Sequence, residues 1–210
     1  MTDEQRFAFE RDQMVRDQLE ARGISAPDVL SAMRSVPRHL FVPGAHQHLA
    51  YHDRALPIGP GQTVSQPYIV ALMLEKLALQ PSDSVLEVGT GTGYQAALLS
   101  RIARDVFTME LDSELLVGSE KLLRELGCAN VHFLAGNGFD GWPEYAPYDK
   151  IIVSAAPSEI PRELVRELKT GGLMVLPLGD ELQELVLLHK TEQGLQSTEL
   201  GAVHFVEMKE

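Results

Sequence analysis

One short segment, residues 85–94, constrains the fold of this chain more than any other. It begins with an apolar run at 85–88 that is typical of a strand buried in a parallel sheet. Three glycines then alternate at Gly89, Gly91 and Gly93, and glycine, which has no Cβ, lets a ligand approach the backbone closely. An apolar helical stretch follows. Strand, bare glycine turn and helix N-terminus together predict a nucleotide-type binding site.

From residue 84 onward, predicted strands alternate with predicted helices. The apolar patterns predict strands at 84–88, 105–110, 130–134, 149–154, 172–177, 184–190 and 200–206. They predict intervening helices at 94–103, 113–126 and 159–168. Such alternation indicates an α/β fold with a doubly wound, mostly parallel sheet, and it leaves the strand order near the C-terminus open.

The first 80 residues have a different pattern. Helices are predicted at 3–22, 27–35 and 67–79. The stretch 44–66 has no strong period and is predicted to be a long loop, which in a compact domain is often functional. We therefore expect a single domain over 1–210, with an N-terminal helical extension over 1–80 and a cofactor-binding core over 81–210.

The glycine spacing indicates which kind of nucleotide binds. This chain has G-x-G-x-G, whereas dinucleotide sites have G-x-G-x-x-G and hold a pyrophosphate at the helix N-terminus. S-adenosylmethionine has no phosphate and does not need that anion site. Glu87 precedes the first glycine, and Glu110, at the end of the next predicted strand, can bind both ribose hydroxyls. The sequence favours an adenosyl ligand, and an NAD-dependent oxidoreductase is the alternative.

Composition restricts the partners and the compartment. The formal net charge of -12 disfavours nucleic acid, because phosphate contacts need clustered Lys and Arg. No apolar run approaches the ~20 residues of a membrane span, and the polar residues 1–6 lack the apolar core of a signal peptide. Cys128 is the single cysteine, so no internal disulfide is possible and we expect a cytoplasmic protein.

A second motif, Gly61-Gln62-Thr63-Val64-Ser65-Gln66-Pro67-Tyr68, lies at the end of the long loop. On local pattern alone, Ser65 is a cap for the helix that begins near Pro67. The whole string, however, resembles the signature of protein-L-isoaspartate O-methyltransferases. Further matches are spread in order along nearly the whole chain, at Val36–His39, Phe41–Pro43, Ala50-Tyr51, Leu56–Gly59, Val85–Gly93, Gly141–Glu144, Ala146-Pro147 and Ile151–Ala156.

The resemblance implies both a reaction and a Rossmann-like, S-adenosylmethionine-dependent methyltransferase fold. Members of the family transfer a methyl group from S-adenosylmethionine to the free carboxylate of an L-isoaspartyl residue in a damaged protein, which initiates repair through a succinimide. Ser65 matches the active-site serine. Together with the glycine motif, the resemblance places around the cofactor Gln62, Thr63, Val64, Ser65, Glu87, Gly89, Thr90, Gly91, Gly93, Glu110, Asn137 and Gly138.

The residue types suit this chemistry. A carboxylate acceptor, with an ordinary pKa of about 4, is ionised at pH 7 and needs no general base. The sulfonium is already a good leaving group, so the protein has to position two bound groups in line and exclude water. The hydroxyl of Ser65 can orient the carboxylate without a Ser-His-Asp arrangement.

Two positions depart from the family pattern. The family's Gly-Asp-Gly turn is Gly136-Asn137-Gly138 here, and an amide oxygen can accept a hydrogen bond from adenine without a full charge. The family's Phe-Val-Pro-Leu ending is Phe205-Val206-Glu207-Met208, which adds a carboxylate near where an anionic peptide is expected to dock. These changes keep two alternatives open: a methyltransferase for another acceptor, and a cofactor-binding module without turnover that recognises damaged chains.

The histidines of the long loop are weak candidates for a metal site. His46, His48 and His52 have a spacing that could suit zinc, but structural zinc needs four converging N or S ligands, so we expect no metal. The expected partners are isoaspartyl-containing proteins and peptides, with no nucleic acid and no membrane. The expected state is a monomer.

Overall fold

A seven-stranded sheet forms the centre of the computed structural model, which describes residues 2–59 and 61–210. Met1 and Pro60, both within the predicted extension, lie outside the described residues. A two-stranded hairpin of Leu56–Gly59 (β1) and Gln62–Val64 (β2) precedes the sheet. The sheet strands are Ser84–Val88 (β3), Asp105–Glu110 (β4), Val131–Ala135 (β5), Tyr148–Val153 (β6), Leu168–Leu178 (β7), Gln183–Thr191 (β8) and Gly194–Val203 (β9).

The α-helices cover this sheet and form most of the N-terminal part. They are Asp3–Gln13 (α1), Pro27–Ser35 (α2), Pro67–Lys76 (α3), Tyr94–Leu99 (α4), Ser113–Glu125 (α5) and Arg162–Glu167 (α6). None of the helices in the described part of the chain has the length and apolar character needed to cross a bilayer.

The strand order is β5-β4-β3-β6-β7-β8-β9. The pairs from β5 to β7 are parallel, and β8 and β9 follow as an antiparallel meander. The chain moves outward from β3 to β5 and then crosses to the other side of β3, so the order reverses between β3 and β6. Ligands of such sheets bind outside the carboxyl ends of the strands at this reversal. The predicted α/β class with a mostly parallel sheet is confirmed.

Successive residues of the central strands face opposite sides of the sheet. Val85 of β3 and Ile152 of β6 belong to a hydrophobic cluster shared with the N-terminal helices. Leu86 and Ile151, one position away, belong to the cluster beneath α6 on the other face. Because both faces are buried, apolar residues predominate in these strands on both faces, which explains why they can be recognised from their apolar runs.

The predicted N-terminal elements need correction in detail. The predicted helix 3–22 is helical without interruption. It changes, however, from α1 to a π-helix at Met14–Leu19 and then to a 3₁₀ turn at Glu20–Arg22. The predicted loop 44–66 instead holds a 3₁₀ helix at Gly44–Leu49 and the β1–β2 hairpin. Such short elements are held by local turns and show no extended apolar period, so pattern analysis misses them.

The other boundaries differ most at the ends of elements. Helix α4 ends at residue 99 instead of 103, and α6 covers 162–167 instead of 159–168. Strand β9 is the largest error, since it occupies 194–203 and not 200–206. This edge strand is exposed on most of its length, so burial imposes no apolar pattern that would mark its start.

Candidate functional site

A cavity of about 290 Å³ lies where the strand order reverses, at the carboxyl ends of β3 and β4. Its walls come from segments far apart in the chain: the hairpin segment 61–65, the glycine loop 88–92, the end of β4 at 109–112 and the C-terminal segment 206–209. Nine of the predicted site residues line it: Gln62, Thr63, Val64, Ser65, Gly89, Thr90, Gly91, Glu110 and Gly138.

Main-chain hydrogen bonds hold the glycine loop against the end of β4. The N–H groups of Gly89 and Thr90 both donate to the carbonyl of Met109, over 2.9 and 3.1 Å. Gly91 has a φ of 54°, in the left-handed region, and its N–H donates to Oε2 of Glu110 over 2.9 Å. The bare backbone of the loop therefore faces the cavity in one defined conformation.

Glu110 is the carboxylate placed to hold a polar part of a ligand. Besides the bond from Gly91, its Oε1 accepts the N–H of Asp112 over 3.1 Å. Each carboxylate oxygen can accept about two hydrogen bonds, so each retains a free lone pair. Because Glu110 lines the cavity, these lone pairs are available to the two hydroxyls of a ribose.

The lining of this cavity fits an adenosyl ligand that carries positive charge and no phosphate. Three carboxylates line it, those of Glu110, Asp112 and Glu207, against the ammonium of Lys209. Oγ1 of Thr92 is buried on the same wall and has no hydrogen-bond partner within the described chain. A negative lining repels a pyrophosphate and attracts a sulfonium or an ammonium group, and the Thr92 hydroxyl can bond a polar ligand atom.

Glu87 lies behind the wall and not on it, so its direct contact with the cofactor stays a prediction. Its side chain is fully buried within β3, and one carboxyl oxygen accepts a hydrogen bond from the hydroxyl of Thr108. The Thr108 oxygen lies 2.6 Å from Oγ1 of Thr90 in the glycine loop. Burial raises the pKa of Glu87 to about 8, against the opposing effect of the Thr108 bond. A protonated Glu87 therefore supports the loop through two threonines.

Gly93 also lies off the cavity wall, for a packing reason. It is the N-cap of α4 with a φ of 89°, and a Cβ built there would lie 2.9 Å from Cδ1 of Leu123 on α5. The third glycine of the motif thus permits the close approach of two helices.

Asn137, the departure from the family turn, points its amide oxygen at its own backbone. Its Oδ1 accepts the N–H of Phe139 over 2.9 Å and caps the 3₁₀ turn Gly138–Asp140. The flanking glycines Gly136 and Gly138 line the cavity, whereas the Asn137 side chain does not. In this structure the side chain supports the turn, and its contact with a ligand stays a prediction.

A second cavity, of about 410 Å³, opens beside the first. The two share Thr63, Ser65, Ser154 and Val206, so they adjoin at these residues, of which Ser65 is half-buried. The competing interpretation of Ser65 as a helix cap finds no support, since α3 starts at Pro67 after Gln66 and no side chain caps it.

Local sequence pattern gives no sign of Ser154 or of the C-terminal wall, although the family resemblance already points to Phe205–Met208 as lying near the site. Ser154 directly follows β6 at the same sheet edge as the glycine loop, so the strand topology could have found it. The C-terminal wall is held by non-local bonds that no local pattern signals. The N–H of Ala156 donates to Val206 over 2.8 Å, and the N–H of Met208 donates back to Ala156 over 2.9 Å.

Glu207 lines the first cavity and is absent from the lining of the second, although its neighbour Val206 lines both. The bridge between Glu207 and Ala156 sets this placement. The nearness of Glu207 to an anionic acceptor stays a prediction. Within residues 2–59 and 61–210, no group of three or more His, Cys, Asp or Glu side chains converges in a way that could hold a metal ion.

Comparison with known proteins gives a consistent result. Residues 10–210 match the family model described as Protein-L-isoaspartate(D-aspartate) O-methyltransferase. A protein-L-isoaspartate O-methyltransferase from Picosynechococcus sp. is 50% identical over 199 residues, which are 95% of this chain and 90% of the relative. The protein of that name from Dictyoglomus thermophilum is 49% identical over 192 residues, 91% of this chain and 87% of the relative.

Two solved structures share the fold over 95% of this chain. One, a protein-L-isoaspartate O-methyltransferase, has a TM-score of 0.88 at 29% identity, and 66% of that longer chain is covered. The other is a putative protein-L-isoaspartate O-methyltransferase from Plasmodium falciparum in complex with S-adenosyl-L-homocysteine. It has a TM-score of 0.82 at 25% identity, with 98% of that chain covered.

Proposed function

This chain belongs to the protein-L-isoaspartate(D-aspartate) O-methyltransferase family, and we propose that it methylates the free carboxylate of L-isoaspartyl residues in damaged proteins. The methyl donor is S-adenosyl-L-methionine. The observation that carries the proposal is the meeting of two cavities at Ser65, because methyl transfer requires donor and acceptor to approach from two sides of one point.

The first cavity supplies the groups that would hold the donor. Glu110 would accept hydrogen bonds from the ribose hydroxyls, and the backbone of 89–91 would lie against the ligand. The hairpin residues Gln62, Thr63 and Val64 would enclose it from the opposite side. S-adenosyl-L-methionine supplies a methyl group activated by its sulfonium, and the carboxylates of the lining stabilise that positive charge.

The second cavity would hold the acceptor peptide. Its lining contains hydroxyl, amide and apolar side chains, among them Thr63, Gln66 and Ile69, and such a neutral surface tolerates varied flanking sequences. Ser65 would orient the acceptor carboxylate by a hydrogen bond from its hydroxyl. The carboxylate needs no base, so the contribution of the protein is alignment and exclusion of water.

The proposal extends to a cytoplasmic monomer without nucleic-acid or membrane partners. The net charge of -12 disfavours a nucleic-acid partner, and the single cysteine, Cys128, favours a cytoplasmic location. Sedimentation of the purified protein over a range of concentrations tests the monomeric state.

The direct test uses labelled S-adenosyl-L-methionine and two matched peptides, one isoaspartyl and one aspartyl. We expect base-labile label on the isoaspartyl peptide alone, because a carboxyl methyl ester hydrolyses in base. Label on neither peptide, with S-adenosylhomocysteine binding intact by calorimetry, would mean that the acceptor is a different molecule. Equal label on both would show that the acceptor site does not read the isoaspartyl linkage.

A further inference from the structure

Arg38 is a fully buried cation that pairs with no carboxylate in the described part of the chain. Its side chain has 0% exposure, and it is among the largest side chains buried so completely. It lies in the short 3₁₀ helix Arg38–Phe41. A buried cation that forms no ion pair is costly, so the presence of Arg38 at this position calls for a physical explanation.

The contacts of Arg38 place its charge directly behind the junction of the two cavities. Its Nη2 donates to the carbonyl oxygen of Ser65 over 2.9 Å, and its Nε donates to the carbonyl of Ala50 over 2.8 Å. The guanidinium carbon lies 4.8 Å from the ring centroid of Tyr94, which lines the first cavity. The remaining nitrogen, Nη1, is buried and has no hydrogen-bond partner within the described chain.

The charge of Arg38 is only partly offset by these neighbours. Two carbonyl dipoles and an aromatic face attract the cation without carrying a full negative charge. The Asp53 carboxylate also attracts it from beyond ion-pair distance, but Asp53 is itself paired with Arg22 at 2.7 Å. Burial lowers the pKa of the guanidinium from its ordinary value, yet an arginine side chain stays protonated in proteins. In a poorly solvated wall its field is weakly screened and extends into the adjacent cavity.

The second cavity lacks a charged group of its own among its described lining residues. No Lys, Arg, Asp or Glu side chain lines it, and His204 is its titratable residue. A carboxylate bound there would also face the repulsion of a chain with a net charge of -12. Arg38 is the cation placed behind its shared wall, one hydrogen bond from the backbone of Ser65.

We propose that Arg38 is the counter-charge for the acceptor carboxylate and positions it through the main chain of Ser65. On this account Arg38 gives the site its preference for anionic over neutral acceptors. The inference rests on the proposed function, because it requires a carboxylate in the second cavity.

The test compares an isoaspartyl peptide with its isoasparaginyl counterpart, in which a neutral amide replaces the carboxylate. Both are measured as ligands of the S-adenosylhomocysteine complex by calorimetry. We expect wild type to prefer the carboxylate, and Arg38→Met to reduce this preference by about tenfold, while affinity for the amide peptide changes by less than about twofold. A purely structural role would weaken both peptides together, and that result would overturn the proposal.

Arg34→Met is the matched control, since it removes the same charge from α2. The Arg34 side chain is 37% exposed and pairs with Asp12 and Glu20, so solvent screens it. We expect the carboxylate preference of this variant to stay within about twofold of wild type. Arg38→Lys keeps the charge but loses the planar fork, and we expect it to retain most of the preference with a lower kcat.

A measurement on the wild type covers the case in which the Arg38 variants do not fold. Salt screens exposed charges and has little effect on buried ones, so the preference for carboxylate should not fall between about 50 and about 500 mM NaCl. A collapse of the preference would assign it to exposed cations such as Lys209 and overturn the role of Arg38. If wild type methylates no isoaspartyl peptide, the proposed function fails. If it does, and Arg38→Met keeps the preference, only this inference fails.

Discussion

Ser65 lines both cavities, so under the proposed function its hydroxyl should affect turnover more than binding. We expect Ser65→Ala to keep S-adenosylhomocysteine affinity within about twofold and to lower kcat by about 10- to 100-fold, the effect of losing one orienting hydrogen bond. Calorimetry and steady-state methylation of an isoaspartyl peptide measure the two quantities. Ser197→Ala, on the exposed strand β9, serves as the control. Unchanged turnover in Ser65→Ala would remove the serine from the mechanism.

Glu87 predicts a pH dependence of stability. Its pKa rises from 4.5 to about 8 on folding, so between these values the native state holds a proton that the unfolded state has lost. The free energy of unfolding therefore falls as the pH rises through this window and levels off above it.

Substitution isolates this contribution, because glutamine mimics the protonated carboxyl. Between about pH 6 and about pH 9, the free energy of unfolding measured by urea denaturation should fall for wild type on the order of 2–3 kcal/mol more than for Glu87→Gln. Parallel pH profiles of the two proteins would show that Glu87 is ionised in the native state.

The difference between Glu87 and Glu110 shows how far sequence reasoning reaches at single residues. Both are acids on adjacent strands, and the sequence predicts that both contact the cofactor. Glu110 ends β4, so its carboxylate reaches the cavity, whereas Glu87 lies inside β3 with its carboxyl enclosed by the fold. Which acid lines the cavity depends on where each strand ends relative to the glycine turn, and composition does not reveal this.

At the scale of elements, the glycine turn joins β3 to α4 and also sets how α4 packs on α5. We expect Gly93→Ala to destabilise the protein by about 2–3 kcal/mol, combining left-handed strain with overpacking against Leu123. Gly118→Ala is the matched control: Gly118 lies inside α5, where an added Cβ would meet nothing within 4 Å, and this change should stabilise by about 0.5–1 kcal/mol. Thermal or urea unfolding measures both. Equal effects of the two changes would contradict the packing role.

Elements that pack on both faces are predicted more accurately than those at the edge of the sheet. Strands β3 and β4 match their predicted bounds, because burial on both faces demands a continuous apolar run. Strand β9 has little buried surface, and the segment 206–209 after it is held at the cavity by bonds to distant Ala156 and, through Phe205, to Gln183. The local sequence carries no record of such contacts, so the place of this wall came from the family resemblance at Phe205–Met208 and not from pattern.

At the scale of the whole molecule, one hydrophobic cluster joins the N-terminal extension to the sheet. Phe7, Met14 and Met33 of the extension share this cluster with Val85 and Ile152 of the core strands. The extension over 1–80 and the core over 81–210 therefore differ in sequence pattern, but they do not have separate hydrophobic cores. The two parts share buried surface, and the cavity walls likewise combine the hairpin with the glycine loop.

This sharing predicts that the fragment 81–210 does not fold cooperatively alone. Without the extension, the face of the sheet that carries Val85 and Ile152 would be exposed, and the burial of that apolar surface would be lost. We expect the fragment to bind a hydrophobic dye and to lack a sharp urea transition, in contrast to the full chain. A cooperative transition near the midpoint of the full chain would show instead that the core is independent and that the extension is an appended substrate element.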